Sequence, residues 1–461
     1  MKNIALIIGA FLFSSLFYNQ SIGLNLSLFS LLTIIVLIIH NIDAFKNKRT
    51  IALSVIYTIT AVSVFLYKSN LTIIANCVAF FTLIGQVSQH KTSIYINWLN
   101  GLYTFIAGFF HRNFNANNTD EKAETKKNID YIHWIKIIGI PLTVLIIFIG
   151  LYKNGNPMFN DFISKIDFGF INMQWLLLAA LGYYLLYNIS TPIQVNPATE
   201  IDLKTNNFLL SKGDIKIETI KKENQLGLIL ISLLNVLIAL FLITDILYLV
   251  SANDLRASVF SSQVHSGINA LIASIIIAII IILYFFRGNL NFYKGNKKLK
   301  VVAYTWIILN SILVINISIK DIQYIYYFGF TYKRIGVLVY LLLTIIGLLT
   351  TFIKVKKIKN FWYLLRVNTI TAFTILIISC AVNWDSYITI YNLNYAKSMD
   401  FKYLIELSNN NTFILKDYID QHDLNIENEL LVEKKHKTYI NQLKNENWQE
   451  TSYDSFKLKR E

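Results

Sequence analysis

Cysteine is nearly missing from this 461-residue chain: Cys77 and Cys380 are the only two, each inside an apolar run. That excludes a disulfide framework and any Cys-x-x-Cys metal site. Charge is also scarce, with Asp, Glu, Lys and Arg at 15% against roughly 25% in soluble domains. So little polar surface cannot coat a water-soluble core. Catalytic signatures are absent too. There is no H-E-x-x-H, no G-x-S-x-G and no G-x-x-x-x-G-K-[ST] loop, so neither an intramembrane metalloprotease, a nucleophile elbow nor nucleotide-driven transport is written in the chain. No cofactor motif is visible.

What is present is apolar sequence. Hydrophobic residues make up 54% of the chain and mean hydropathy is +0.48. A helix needs about 20 apolar residues to cross the roughly 30 Å hydrocarbon core, where every backbone N–H and C=O must be satisfied internally. By that criterion the chain is an all-α, polytopic transmembrane helix bundle of about 11 spans, at 3–18, 22–40, 50–67, 71–90, 134–152, 174–188, 226–250, 267–286, 301–318, 336–353 and 361–383. The first is expected to be a retained helix, because no small-residue cleavage site follows it. Segment 95–110, with Asn97, Trp98, Asn100 and Tyr103, suits an interfacial helix.

The formal net charge is +14, yet residues 397–461 carry 10 basic and 12 acidic residues, leaving 32 basic and 16 acidic in the apolar part. The excess lies in short loops, which is topology bias and not a phosphate-binding groove, so nucleic acid is not an expected partner. With 95–110 interfacial, the basic loops at 46–49, 112–127, 204–222, 287–300 and 354–359 fall on one face. The positive-inside bias makes that face cytoplasmic, with the N-terminus inside and the C-terminus extracytoplasmic, in a bacterial inner membrane.

Residues 1–395 form the expected bundle, with polar cytoplasmic loops near 111–133 and 189–225, and 396–461 a small helical extramembrane tail with helices at 401–407, 413–419 and 427–443. The first loop, 113–130, is polar without periodicity and reads as flexible. In the second, Asp214 to Glu218 alternates with the period of a short strand.

An ionised group in hydrocarbon costs at least about 2.5 kcal/mol, so charges in spans are the first candidates for function. Asp245 is too short to snorkel; it either binds a proton or cation, or bonds to Asn235, Asn310 or Asn316. His265, at the outer entrance of its span, is either titratable or tied to a carbonyl. Arg366 lies close enough to a span end to snorkel. The outer loop 320–335 sets Lys320, Lys333 and Arg334 among six aromatic residues, which suits either an aromatic belt with basic anchors or a site for an anionic headgroup or envelope component.

Several short stretches occur in an order that resembles a bacterial multi-spanning family, domain of unknown function 4173. They are LFYNQSIGLNLSLF (16–29), VHSG (264–267), FRGN (286–289), YKRIG (332–336), LRVN (365–368), NWD (383–385) with YNL (391–393), and YLIELS (403–408). The resemblance covers most of the chain and implies no activity. It does mark His265, Lys333, Arg334, Arg366 and Asp385 as candidates beside Asp245. The leading expectation is a non-enzymatic membrane sensor or scaffold, partnered by the lipid bilayer and, at the outer face, by an anionic lipid or envelope component. The alternatives are a proton-coupled secondary transporter using Asp245 and His265, and an outer-face enzyme in which Lys333 and Arg334 hold a phosphate while Asp385 or His265 acts as base.

Overall fold

The computed structural model describes residues 2–119, 131–164, 172–211, 213, 217–251 and 257–458. The first part contains α1 (Lys2–Phe17), α2 (Leu24–His40), α3 (Lys48–Tyr67), α4 (Asn70–Ser88), α5 (Ile94–Thr119), α6 (Tyr131–Gly155), α7 (Pro157–Ser164), α8 (Met173–Ser190) and α9 (Asn196–Lys204). The second contains α10 (Ile217–Ser251), α11 (Ala257–Phe285), α12 (Lys297–Phe328), α13 (Tyr332–Lys356) and α14 (Phe361–Cys380). After α15 (Trp384–Tyr395) the tail follows with α16 (Phe401–Glu406), α17 (Thr412–Gln421), α18 (Ile426–Asn445) and α19 (Tyr453–Leu458). The described residues form no strand; their one isolated β-bridge joins Phe208 to Lys359.

Polar side chains start many of these helices. Asn47, Asn172, Thr331, Asn360, Asn383, Asp400 and Asn425 each accept a first-turn backbone N–H, and Ser69 with Thr72 forms a reciprocal capping box on α4. Six helical segments are long and apolar enough to cross a membrane: Lys48–Tyr67, Asn70–Ser88, Ile217–Leu247, Lys294–Phe328, Tyr332–Lys356 and Phe361–Cys380; Lys2–Phe17, Leu24–His40 and Leu271–Phe285 are shorter apolar helices. Their outward faces are greasy. On α10, Leu233, Leu237, Leu240 and Leu247 are all exposed, a surface that water does not tolerate at this extent and lipid does.

Two apolar cores divide the bundle. One gathers α1–α4 and α8 around Leu37, Tyr57, Leu83 and Leu186; the other gathers α10–α13 around Ile231, Ile282, Ile307 and Leu348. Helix α14 lies between them, packing on α13 and on α3, α4 and α5.

The helix ends sort into two faces. One collects the C-terminus of α1, the N-terminus of α2, the α3–α4 turn, the start of α8 and the end of α14, and on this face the tail docks. The basic connections lie at the opposite face: Lys2 near His40, Arg49 on Thr92, and Lys354 on Phe286.

Helix α5 belongs to this basic face. It packs against the last turns of α4, with Gly85 and Gly101 at the crossing, where a Cβ would fall on the backbone of Asn97 and Phe81. Its hydrogen bonds to α8 are confined to Tyr184, Tyr187 and Asn188 near the end of that helix. Its partners on α4 and α8 lie in the halves of those helices nearer the basic face.

Three loop expectations need correction. The polar stretch 113–130 is helical through Thr119; the remainder to 130 lies outside the described residues. The alternating stretch 214–218, which could have paired as a short strand, falls partly outside them, and Ile217 and Glu218 open α10. The loop expected at 320–335 is helical to Phe328, because a helix wider than its greasy stripe continues while its polar residues find partners inside the protein.

Candidate functional site

Three polar clusters occupy the two ends of the bundle. At the tail end, the first turn of α15 places Asp385, buried to 3% exposure, under the tail. One carboxylate oxygen accepts the Tyr332 hydroxyl at 2.7 Å; the other accepts the Ser408 hydroxyl and, at 3.2 Å, the Asn410 amide. Tyr332 in turn donates its backbone N–H to the Tyr403 hydroxyl at 3.0 Å. Asp385 thus has three donors, from α13 and from the α16–α17 connection, and it fixes the tail to the bundle. Lys435 completes this side, donating to the carbonyls of Ile405, Leu407 and Ser408 and to Asn411 Oδ1 at 2.8–3.1 Å. Burial pushes its ammonium down to about 8, against the opposing pull of the Asp385 charge.

Arg334 sits in the first turn of α13 and closes the α12–α13 turn. Its guanidinium donates to the Phe328 carbonyl at 3.0 Å and to that of Gly329, and lies 4.0 Å from the Tyr324 ring centroid. Lys333 is exposed and makes no hydrogen bond or ion pair among the described residues. Of the six aromatic residues of this region, Tyr324 and Phe328 face Arg334, Tyr326 and Tyr327 face Lys397, and Phe330 packs on Tyr387 and Tyr391.

The same tail reaches the other half of the bundle. Glu446 pairs with Lys68 at 2.8 Å, and Lys68 also donates to the Glu450 carbonyl. The carbonyls of Gln449 and Thr451 accept the backbone N–H groups of Asn25 and Leu24 at 2.8 and 3.0 Å, so a segment distant in sequence satisfies the orphan donors of α2. The approach is close enough that a Cβ at Gly23 would fall on the Glu450 backbone.

Within the second half, Asp245 of α10 pairs with Lys320 of α12, both side chains largely buried. The partner is a lysine and not Asn235, Asn310 or Asn316; Asn235 donates to the Val302 carbonyl and Asn310 to that of Trp306. Next to Lys320, Asp321 is 1% exposed and within electrostatic reach of Arg334. Asp245 and Asp321 each keep one oxygen without a partner among the described residues. Reading 320–335 as a loop put Lys320 among its basic residues rather than on a helix beside Asp245, and passed over Asp321. His265 lies on α11, with its side chain outside the described residues.

At the basic end, Arg366 grips the 191–207 connection. It donates to Asp202 Oδ1 at 2.9 and 3.2 Å, to the carbonyls of Asp202 and Thr205 at 2.6 and 2.8 Å, and to Asn207 Oδ1 at 2.7 Å. Asp202 also accepts the Tyr95 hydroxyl and the Ser93 N–H, each at 2.8 Å. Burial pushes the Asp202 carboxyl up, but these donors outweigh it and hold the group below its ordinary 3.8. Asn100 and Thr104 of α5 bond the same connection at Thr199, Val195 and Ile193. Sequence reasoning placed Arg366 near the interface and missed Asp202, since a carboxylate in a polar loop gives no sign of burial. Among the described residues, no group of three or more His, Cys, Asp or Glu is placed to hold a metal.

No curated protein and no solved structure matches the chain. A family model does, described as Domain of unknown function (DUF4153), over residues 4–418. That span runs from α1 into α17 and takes in the Asp385, Asp245 and Arg366 clusters. The family number corrects the one the motif order resembles, 4173, while the unknown-function membership stands. With nearly the whole helical bundle inside the match, the chain belongs to the DUF4153 family.

Proposed function

We propose that this protein is a non-enzymatic multi-pass scaffold or sensor of a bacterial cytoplasmic membrane, its basic loops cytoplasmic and its tail presented to envelope partners. The observation that carries the reading is the double attachment of the tail. Residues 398–411 bind the α12–α13 turn and α15, while residues 446–451 bind the α1–α2 and α3–α4 turns. The two cores share few contacts except through α14, so a partner that shifts the tail shifts both halves. The reactive-looking groups support the same reading: Asp385, Arg334 and Arg366 are engaged by internal partners, which suits architecture more than turnover.

The test is backbone hydrogen exchange on the protein in lipid nanodiscs, with and without residues 446–461. Coupling predicts faster exchange in the first turn of α2 and also in the α12–α13 turn of the other half. A change confined to the amides directly uncovered would contradict it.

A second reading, proton-coupled transport, is favoured by the unpartnered oxygens of Asp245 and Asp321. It requires solute-dependent proton movement in proteoliposomes that Asp245→Asn abolishes.

A further inference from the structure

One face of α12 has the length of a bilayer core. Val301, Ile308, Ile315 and Ile322 follow one another at seven-residue intervals, with Ile312 and Ile319 beside them, and all six are exposed. Residues at this spacing share one side of a helix. From Val301 to Ile322 the stripe is about 32 Å long at 1.5 Å per residue, which matches the roughly 30 Å of hydrocarbon that a span crosses. The exposed Lys297 and Lys298 precede it. At its other end the row of Ile312 and Ile319 continues to Tyr326, which is exposed as well. Isoleucine gives way to tyrosine there, as it does where hydrocarbon meets the headgroups.

Helix α15 lies at that level. Trp384 donates to the Ser379 carbonyl in the last turn of α14 at 2.9 Å, and Asp385 is bonded to Tyr332 at the start of α13. Asn392 exchanges two hydrogen bonds with the backbone of Phe330 in the α12–α13 turn, and Ser398 donates its N–H to the Tyr327 carbonyl in the last turn of α12 at 2.8 Å. The segment thus passes over the ends of three candidate spans in succession, which a helix standing parallel to them could not do. Its inner side, with Asp385, Ile388, Thr389 and Asn392, is buried. Its other side is aromatic: Tyr387, Ile390 and Tyr395 are exposed, with Tyr391 half-buried among them. Lys397 sets its ammonium 4.7 and 4.9 Å from the ring centroids of Tyr326 and Tyr327, which ties the tyrosine end of the α12 stripe to the end of α15.

We propose that α15 is an in-plane membrane anchor: its Tyr387, Ile390, Tyr391 and Tyr395 side is seated in the lipid interface of the tail-side leaflet, so that the tail rests on the bilayer instead of standing clear of it. Amphipathic helices with such a side lie in the interface in this way. The occupant is lipid because this side continues the isoleucine stripe of α12 at the depth where that stripe ends. The anchoring rests on the membrane reading of the proposed function.

Spin labelling of the full chain tests it. With Cys77 and Cys380 replaced, Ile390→Cys, Asn394→Cys, Ile315→Cys and Asp423→Cys are each labelled with a nitroxide in lipid nanodiscs holding one copy. Collision with oxygen, which partitions into lipid, is then compared with collision with a water-soluble nickel chelate. The oxygen-to-nickel ratio should be highest at Ile315→Cys, intermediate and equal at Ile390→Cys and Asn394→Cys, and lowest at Asp423→Cys. Along an upright helix the two middle sites would differ in depth by about 6 Å, so unequal ratios there would overturn the in-plane placement. Nickel access at both sites equal to that at Asp423→Cys would also overturn the proposal, by showing a solvated tail. Shielding of both sites from both reagents would do the same, by showing a side covered by protein. Free nickel access at Ile315→Cys would remove the membrane reading itself.

Discussion

Replacing Arg366 with Met should be among the most damaging single changes in the chain. The substitution keeps the aliphatic stem and removes five hydrogen bonds to the 202–207 connection. It also strands the Asp202 carboxylate, whose side chain is 3% exposed. Breaking one partner of a buried pair costs about 3–5 kcal/mol, and the surviving donors, Tyr95 and the Ser93 N–H, place the loss toward the lower end. Asp202→Asn should cost less, about 1–3 kcal/mol, since Arg366 keeps its bonds to the Asp202 and Thr205 carbonyls and to Asn207. If the two residues act as a unit, the double variant should fall short of the sum of the singles by about 0.5–3 kcal/mol. Reversible denaturant titration in mixed micelles, followed by tryptophan fluorescence, measures all three. The reasoning is refuted if Arg366→Met lies within 0.5 kcal/mol of wild type, or if the two changes simply add.

Gly23→Val should push the Glu450 backbone away and free the tail's second attachment, seen as rapid protease cleavage between residues 445 and 458 while the 398–411 attachment holds. Lys320→Met should cost about 3–5 kcal/mol by leaving Asp245 an unpaired charge, and Lys320→Met with Asp245→Leu should recover most of it; a double variant as unstable as the single argues that Asp245 has a further role. Acid should weaken the basic end through Asp202. Its folded value is depressed, so its stabilising contribution is present above 3.8 and lost as pH falls through the folded value. The stability gap between wild type and Asp202→Asn should accordingly close below that pH, and a gap constant from pH 7 to 3 would contradict the assignment.

The apolar helices were legible because lipid as a solvent favours long apolar runs; of the eleven ranges read from hydropathy, six coincide with helices long and apolar enough to cross and three with shorter apolar helices. The tail helices were legible from their periodicity. Partners were not. Lys320 and Asp321 interrupt the apolar run, which reads as a loop, yet each is sheltered by a charge from another helix, so α12 continues. Asn97 and Asn100 suited an interface; their bonding to Gln86 and to the 195–199 segment depends on a helix crossing that Gly85 and Gly101 permit but do not announce. The insertion of residues 446–451 against α2 leaves no pattern, because its hydrogen bonds use backbone atoms that every residue carries.

The central claim is a membrane-embedded bundle whose basic loops and tail emerge on opposite sides. With Cys77 and Cys380 replaced, single cysteines at Lys297, the first residue of α12, and at Asp423, between α17 and α18, can be exposed in intact cells to a membrane-impermeant maleimide. Labelling of Asp423→Cys from outside, with Lys297→Cys labelled only after permeabilisation, is the predicted result. Labelling of both from the same side would contradict the account.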